Sequence, residues 1–232
     1  MSLMPEAEAV RLPEIAQDFT PLSRPARTSS WPGIDAKRLL DIAGACIALI
    51  LCAPVMLMIL LCLSFVGKPI FSQQRVGRDG KPFACYKFRS MVVGAEQVLA
   101  DYLRHNPAAK DEWLRTYKLA NDPRITPVGH FLRKSSLDEL PQLFNVLRGD
   151  MSLVGPRPIV PAEVPRYRSK IRDYHRLRPG LTWLWQVSGR NLVSYRRRVA
   201  LDSVYSRRRT FVMDVLILAK TVGVVFLGRG AL

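Results

Sequence analysis

Several common signatures of chemistry are missing from this chain. No Gly-x-x-x-x-Gly-Lys-Ser/Thr loop occurs, because Gly77-Arg-Asp-Gly-Lys-Pro has the wrong spacing, and this excludes a P-loop nucleotidase. Gly-x-Gly-x-x-Gly, His-Glu-x-x-His and Cys-x-x-Cys are also absent, and the three histidines (105, 130 and 175) are scattered. A dinucleotide fold, a zinc protease and a histidine triad therefore have no support. There is no Asp-x-Asp pair to hold a metal beside a nucleotide. Cysteine is scarce: of the four, Cys46, Cys52 and Cys62 fall in the most apolar stretch, which reads as reduced thiols rather than a disulfide framework. Acids are scarce as well, 19 against 35 Lys and Arg, and the imbalance is uneven. Residues 67–232 hold 30 of the basic and 13 of the acidic residues, net +17. A part this basic expects an anionic partner: nucleic acid, anionic lipid or a phosphorylated substrate. With 48% hydrophobic and 23% charged residues, disorder, collagen and a multi-span transporter are excluded. The length of 232 residues suits one medium domain with an appendage.

Residues 1–36 are rich in Pro, Ser, Ala and acids without periodicity and read as a mobile tail; they lack the basic start of a signal peptide. Leu39 to Val66 is a 28-residue apolar run whose only charge is Asp41, and about 20 residues suffice to cross a bilayer. Pro54 in its middle removes a helix hydrogen bond and imposes a bend. Basic residues flank both ends, Lys37 and Arg38 before and Lys68, Arg75, Arg78 and Lys81 after. If positive charge stays cytoplasmic, both ends prefer one side. A re-entrant broken helix satisfies that preference, and a single-span anchor with a proline kink is the alternative; the residues alone do not separate them. Asp79-Gly80 between two short runs predicts a β-hairpin, with Phe83, Cys85, Lys87 and Arg89 on one face of its second strand. Residues 95–104 and 108–119 read as two short helices split by Asn106-Pro107. Residues 163–178 read as a basic amphipathic helix with Tyr167, Ile171 and Tyr174 on its apolar face, suited to a membrane surface, although a solvated face on a globular helix fits the same pattern. Residues 211–227, with Asp214 and Lys220, are too short and too charged to cross, and suit interfacial packing.

Chemistry concentrates in residues 121–158. Ser136-Leu137-Asp138-Glu139 predicts a helix start with Leu140, Leu143, Phe144 and Leu147 as its apolar face. One reading makes Ser136 and Glu139 a capping box and nothing more. The other notes Arg124, Arg133, Lys134, Arg148 and Arg157 nearby, amid prolines that stiffen the loops. Two adjacent carboxylates among arginines suit a divalent metal and a nucleophile for phosphate. A second cluster, Arg178 to Arg190, carries Trp183 and Trp185 between glycines and suits a loop against a base or sugar, or a turn packed in the core.

Taken in order, these segments resemble the bacterial polyprenyl-phosphate hexose-1-phosphate transferases, the small monotopic phosphoglycosyl transferases. The resemblance runs from about Lys37 to Leu232. It rests on Lys37-Arg38-x-x-Asp41 before the proline-broken run, Lys87-Phe88-Arg89-Ser90-Met91, Leu137-Asp138-Glu139-Leu140-Pro141-Gln142, Gly155-Pro156-Arg157-Pro158 and Arg178-Pro179-Gly180. It is nearest the short exopolysaccharide-type members that load galactose or glucose phosphate. Two positions depart: Ala53 stands where Ser often precedes the helix-breaking proline, and Trp183 where glycine is frequent.

The resemblance implies an α+β, mainly helical monotopic membrane protein with a re-entrant helix over 37–67, a small hairpin and amphipathic interfacial helices. Residues 68–232 would form a catalytic domain at the cytoplasmic face of the bacterial inner membrane. It implies Asp138 as nucleophile toward a UDP-hexose, Glu139 as ligand of Mg²⁺, Arg133 and Arg157 as phosphate holders, and Lys87 and Arg89 as further candidates. Lys37, Arg38 and Asp41 would anchor the membrane helix and Pro54 break it. Undecaprenyl phosphate would be the second substrate, with inner-membrane lipid around the protein, no nucleic acid, and homo-oligomer formation open. Two rivals remain at this point. A membrane-anchored nucleic-acid binder uses the +17 domain and gives Asp138 and Glu139 no role. A scaffold for polysaccharide assembly would use the same carboxylates only as a helix cap.

Overall fold

A computed structural model describes residues 34–116, 119–187 and 194–226. The reading of residues 1–36 as a mobile tail therefore falls almost wholly outside the described residues, as do positions 188–190 of the tryptophan cluster.

The apolar run forms one helical element, α1 (Ile34–Ser64), with Pro54 inside it. It is the one described helix long and apolar enough to cross a membrane. Its buried positions form a single stripe: Asp41 and Ala45 near the start, Met56, Ile59 and Leu63 near the end. These recur at helical spacing, so the stripe is one face. Leu39, Ile47, Ile50, Leu51, Leu57 and Met58, on the rest of the surface, are exposed.

The hairpin forms as expected. Strands β1 (Ile70–Val76) and β2 (Pro82–Phe88) pair antiparallel, Ile70 opposite Phe88 and Val76 opposite Pro82. Asp79 and Gly80 take the positive φ values that close the turn (58° and 75°). Helices α2 (Ala95–His105) and α3 (Pro107–Thr116) follow, divided at Asn106. Helix α4 (Pro127–Ser135) is capped by the Thr126 hydroxyl, which accepts from the Gly129 amide. A 3₁₀ turn (Leu137–Glu139), α5 (Gln142–Arg148) and β3 (Ser152–Val154) then lead to the short helices α6 (Val164–Tyr167) and α7 (Ile171–His175). Strand β4 (Gly180–Thr182) pairs parallel with β3, and α8 (Tyr195–Arg208) and α9 (Phe211–Phe226) complete the described chain.

The main core gathers Ala45 of α1, Cys85 of β2, Leu143 and Val146 of α5, Leu153 of β3 and Ile217 of α9. A second cluster packs Met56, Ile59 and Leu63 of α1 on Phe88 and Leu132. Both halves of the apolar helix thus rest on the same domain.

Two expectations are corrected. Residues 163–178 are not one amphipathic helix on a surface: Arg168 takes φ 48° and divides α6 from a 3₁₀ turn. Tyr167 and Tyr174 are buried with Val76, Ile159 and Val199, so this apolar stripe belongs to the core and offers nothing to a bilayer. In α5, Leu143 is buried and Leu140 and Leu147 pack against the core as expected, whereas Phe144 is exposed and Gln142, Asn145 and Val146 complete the buried face. Helix α9 fits the interfacial expectation in part: Asp214 and Ile217 are buried while Phe211, Val212, Val215 and Leu216 are exposed.

Candidate active site

Two elements deliver the carboxylates. Helix α4 runs close over Ser90, because a side chain at Gly129 would place its Cβ 1.9 Å from the Ser90 carbonyl oxygen. Only glycine permits that approach. The chain then turns at Ser136, a non-glycine residue in the left-handed region (φ 58°), into the 3₁₀ turn that carries Asp138 and Glu139. Ser136 makes no side-chain capping bond, so the capping box expected at Ser136 and Glu139 does not form. The Glu139 side chain goes elsewhere: its Oε1 accepts from Lys87 Nζ at 2.6 Å. The same ammonium lies 3.5 Å from Asp138 Oδ2.

Lys87 is held in place by the hairpin. Fully buried Asn145 of α5 accepts from the Tyr86 amide through Oδ1 (3.0 Å) and donates through Nδ2 to the Ala84 carbonyl (2.7 Å). The side chain thereby pairs with the edge of β2 as a neighbouring strand would. Phe88 anchors the strand's end among Leu132 and the α1 residues.

The electrostatics follow from burial. Asp138 is almost wholly enclosed, and burial raises its carboxyl above the usual range, with the Glu139 charge acting in the same direction and Lys87 and Arg133 opposing. Burial disfavours the Lys87 ammonium, but Glu139 and Asp138 more than offset it and hold its pKa above the ordinary value. Cys85, two residues before Lys87 on the same strand face, is pushed up to about 11 by burial and remains a thiol.

A small cleft adjoins this trio, lined by Lys87, Glu139, Gln142, Arg75, Arg157 and Trp183 among others. Arg157, expected at a phosphate, is there; its Nη1 meets both Glu163 oxygens (3.1 and 3.2 Å), and that carboxylate outweighs burial to keep it firmly cationic. Arg133 stands apart from the cleft lining, its Nε donating to Ser90 Oγ at 2.9 Å, yet it feels the Asp138 charge. Arg89 is not brought to the cleft: the strand ends at Phe88, and Arg89 Nε is buried without a partner. Gln142 and Arg75 were not singled out from sequence as site residues, whereas Trp183 was read there as part of a loop suited to a base or sugar or to a turn packed in the core. Of the first two, Gln142 was the more accessible, since it follows Asp138 by four residues on one helical face.

Lys37, Arg38 and Asp41 grip the protein itself. Lys37 Nζ pairs with Asp214 (2.9 Å) and Asp41 (3.5 Å). Arg38 donates to the Val146 and Leu147 carbonyls at the end of α5 (2.7 and 2.8 Å). Buried Asp41 Oδ1 accepts from Ser152 Oγ and from the Leu153 amide (2.9 and 3.0 Å). They fix the start of α1 to β3, α5 and α9.

Among the described residues no three His, Cys, Asp or Glu side chains gather to hold a metal. The donors on offer are Asp138 and Glu139, and Lys87 engages the Oε1 of Glu139. That set fits Mg²⁺, which commonly takes one or two carboxylates together with substrate phosphate oxygens and water.

The family model described as "Bacterial sugar transferase" matches residues 33–228. The chain is 53% identical over 196 residues to the undecaprenyl-phosphate galactose phosphotransferase of Salmonella typhimurium, and 52% identical to the UDP-galactose-lipid carrier transferase of Erwinia amylovora. Each alignment covers 84% of this chain and 41% of the relative, so the chain spans about two-fifths of their length. The exopolysaccharide production protein ExoY of Rhizobium meliloti is 48% identical, the match covering 84% of this chain and 88% of that protein.

Proposed function

This chain belongs to the bacterial sugar transferase family, and from that premise we propose that it moves a hexose 1-phosphate from a UDP-hexose to undecaprenyl phosphate. The observation that carries the reading is the Lys87–Asp138–Glu139 trio, with one ammonium between two adjacent carboxylates beside a cleft that Arg75 and Arg157 also line. A cleft with three cations suits a diphosphate, and an enclosed carboxylate suits a nucleophile.

Asp138 attacks the β-phosphorus: a carboxylate oxygen–phosphorus bond forms, the bond to the bridging oxygen breaks, and UMP leaves. An oxygen of undecaprenyl phosphate then attacks the same phosphorus. The aspartate is released, and undecaprenyl-diphosphate-sugar forms. Lys87 orients Glu139, lies against Asp138 and offsets charge on the attacked phosphate. Arg157, braced by Glu163, binds phosphate oxygens, and Arg133 lowers the cost of the Asp138 charge. Glu139 would hold Mg²⁺, which would neutralise diphosphate charge when bound.

We place the protein at the cytoplasmic face of the bacterial inner membrane, with α1 re-entrant. Supporting this, Asp41 and Ala45 on one side of Pro54, and Met56, Ile59 and Leu63 on the other, pack on one domain. Exopolysaccharide synthesis is the proposed setting, in keeping with the name of the ExoY relative.

The test is UMP release by the detergent-purified protein from UDP-galactose and UDP-glucose with Mg²⁺ and undecaprenyl phosphate. Lipid-dependent UMP is expected from one of them and none with Asp138→Asn; full activity in that variant overturns the mechanism.

A further inference from the structure

Two buried polar atoms on residues that line the cleft have no partner. Gln142 Oε1 and Trp183 Nε1 make no hydrogen bond, and their residues are only 1% and 8% exposed. Buried polar atoms are rarely left unpaired, because each costs the full desolvation of the group. The other buried side-chain atoms without partners among the described residues, on Arg89, His175, Trp185, Tyr195 and Asp202, belong to residues outside the cleft lining, although the Trp185 ring lies 5.2 Å from that of Trp183.

The two unpaired atoms, on residues that line one small cleft, are complementary in kind. The indole N–H only donates and the amide oxygen only accepts, and both are neutral. Phosphate has no need of them, since Lys87, Arg75 and Arg157 line the same cleft. A hydroxyl group, which donates and accepts at one oxygen, satisfies both.

Position selects which hydroxyl. Gln142 follows Glu139 by three residues and Asp138 by four, along backbone that stays helical through Leu140 and Pro141. Side chains so spaced lie about 5–6 Å apart at Cβ. In the transfer proposed above, on which this inference rests, the sugar is bonded directly to the phosphorus that Asp138 attacks. Uracil is further off by a phosphate and a ribose. We propose that Gln142 and Trp183 read a hydroxyl of the transferred sugar, Gln142 Oε1 accepting its proton and Trp183 Nε1–H donating to its oxygen.

The experiment compares the wild-type protein with Trp183→Phe, which keeps an aromatic ring and removes the donor, and Gln142→Met, which keeps most of the volume and removes the acceptor. Rates of UMP release are taken as kcat/KM for UDP-galactose, UDP-glucose and their monodeoxy analogues, with UMP inhibition and thermal melting measured in parallel. The wild type is expected to disfavour one deoxy or epimeric position by about tenfold or more, and each variant to lose most of that discrimination. UMP inhibition should be unchanged and melting equal or higher, since an unpaired buried atom has been removed. Retained discrimination in both variants overturns the proposal. So does weakened UMP inhibition, which would assign the pair to the nucleoside, or lowered melting with discrimination intact, which would make the pair structural. If Gln142→Met does not fold, Trp183→Phe alone decides. Absence of UMP release by folded wild-type protein from every sugar would overturn the transfer reading and this inference with it.

Discussion

Lys87 ties the hairpin to the carboxylates with one ammonium, 2.6 Å from Glu139 and 3.5 Å from Asp138. Replacing it with Met removes the cation that favours the Asp138 carboxylate and leaves the Glu139 charge that disfavours it, so Asp138 ionises less readily and, in the proposed reaction, the attacked phosphate loses a cation. A loss of about 100-fold or more in kcat is expected. Because attack needs the ionised form and burial raises the Asp138 pKa, activity should fall with acid at a pH above the usual carboxylate range. Lys87→Met should move that limb higher still, which a pH profile of kcat/KM reads directly. Glu139→Gln separates the surviving alternatives. Glutamine can still accept from Lys87 but is a poor metal ligand, so Mg²⁺ dependence should change while the melting temperature does not. Asp202 makes a prediction of the opposite kind. Burial raises it to about 7 although the Tyr167 hydroxyl donates to it. A carboxyl raised on folding binds more protons when folded, so its contribution to stability is lost as pH rises from about 4 to about 7. Asp202→Asn should flatten that decline in denaturation measured at pH 5 and 8.

At the scale of elements, the site depends on three close approaches. Gly129→Ala would force α4 off the Ser90 carbonyl and carry Arg133 and the Asp138 turn with it, so activity and melting temperature should fall together. Asn145→Ala strips the edge of β2 of both its partners and leaves the half-buried Tyr86 amide unpaired. A cost of about 2–3 kcal/mol in stability is expected from denaturation. The Lys37–Asp41–Asp214 clasp is the third, and Asp41→Ala, which removes one of Lys37's two carboxylates and leaves the buried Leu153 amide unpaired, should cost about 3 kcal/mol. Much at this scale was legible in advance. Asp79-Gly80 announced the hairpin, since few residues accept positive φ, and Asn106-Pro107 announced the break between α2 and α3. The failures share a cause. Alternation placed Arg89 with Lys87, but the strand stops at Phe88 and the Arg89 side chain does not line the cleft. The stripe of Tyr167, Ile171 and Tyr174 was visible, but a stripe does not say whether protein or lipid covers it. Ser136-x-x-Glu139 matched a capping box, yet Lys87, 52 residues away, takes the glutamate instead.

For the whole molecule, the carboxylate pair was legible because arginines and loop-stiffening prolines surround it, and Trp183 because it lies in a loop suited to a base or sugar, whereas Gln142 and Arg75 joined the cleft only through the packing of α5 and β1. The same packing bears on topology. Cysteines placed at Ala36 and Val66, at the two ends of the apolar segment, should be labelled by an impermeant reagent from one side of the membrane only, and labelling from opposite sides would establish a span. The central claim is a sugar-phosphoryl aspartate formed before the lipid takes part. The most direct measurement is the intact mass of the protein after incubation with Mg²⁺ and its UDP-hexose in the absence of undecaprenyl phosphate. A gain of one hexose phosphate mapped to Asp138, absent in Asp138→Asn and discharged on adding undecaprenyl phosphate, is the predicted result. An unmodified protein that still transfers sugar phosphate once the lipid is added, under conditions that preserve acyl phosphates, would contradict it and leave direct attack by the lipid in its place.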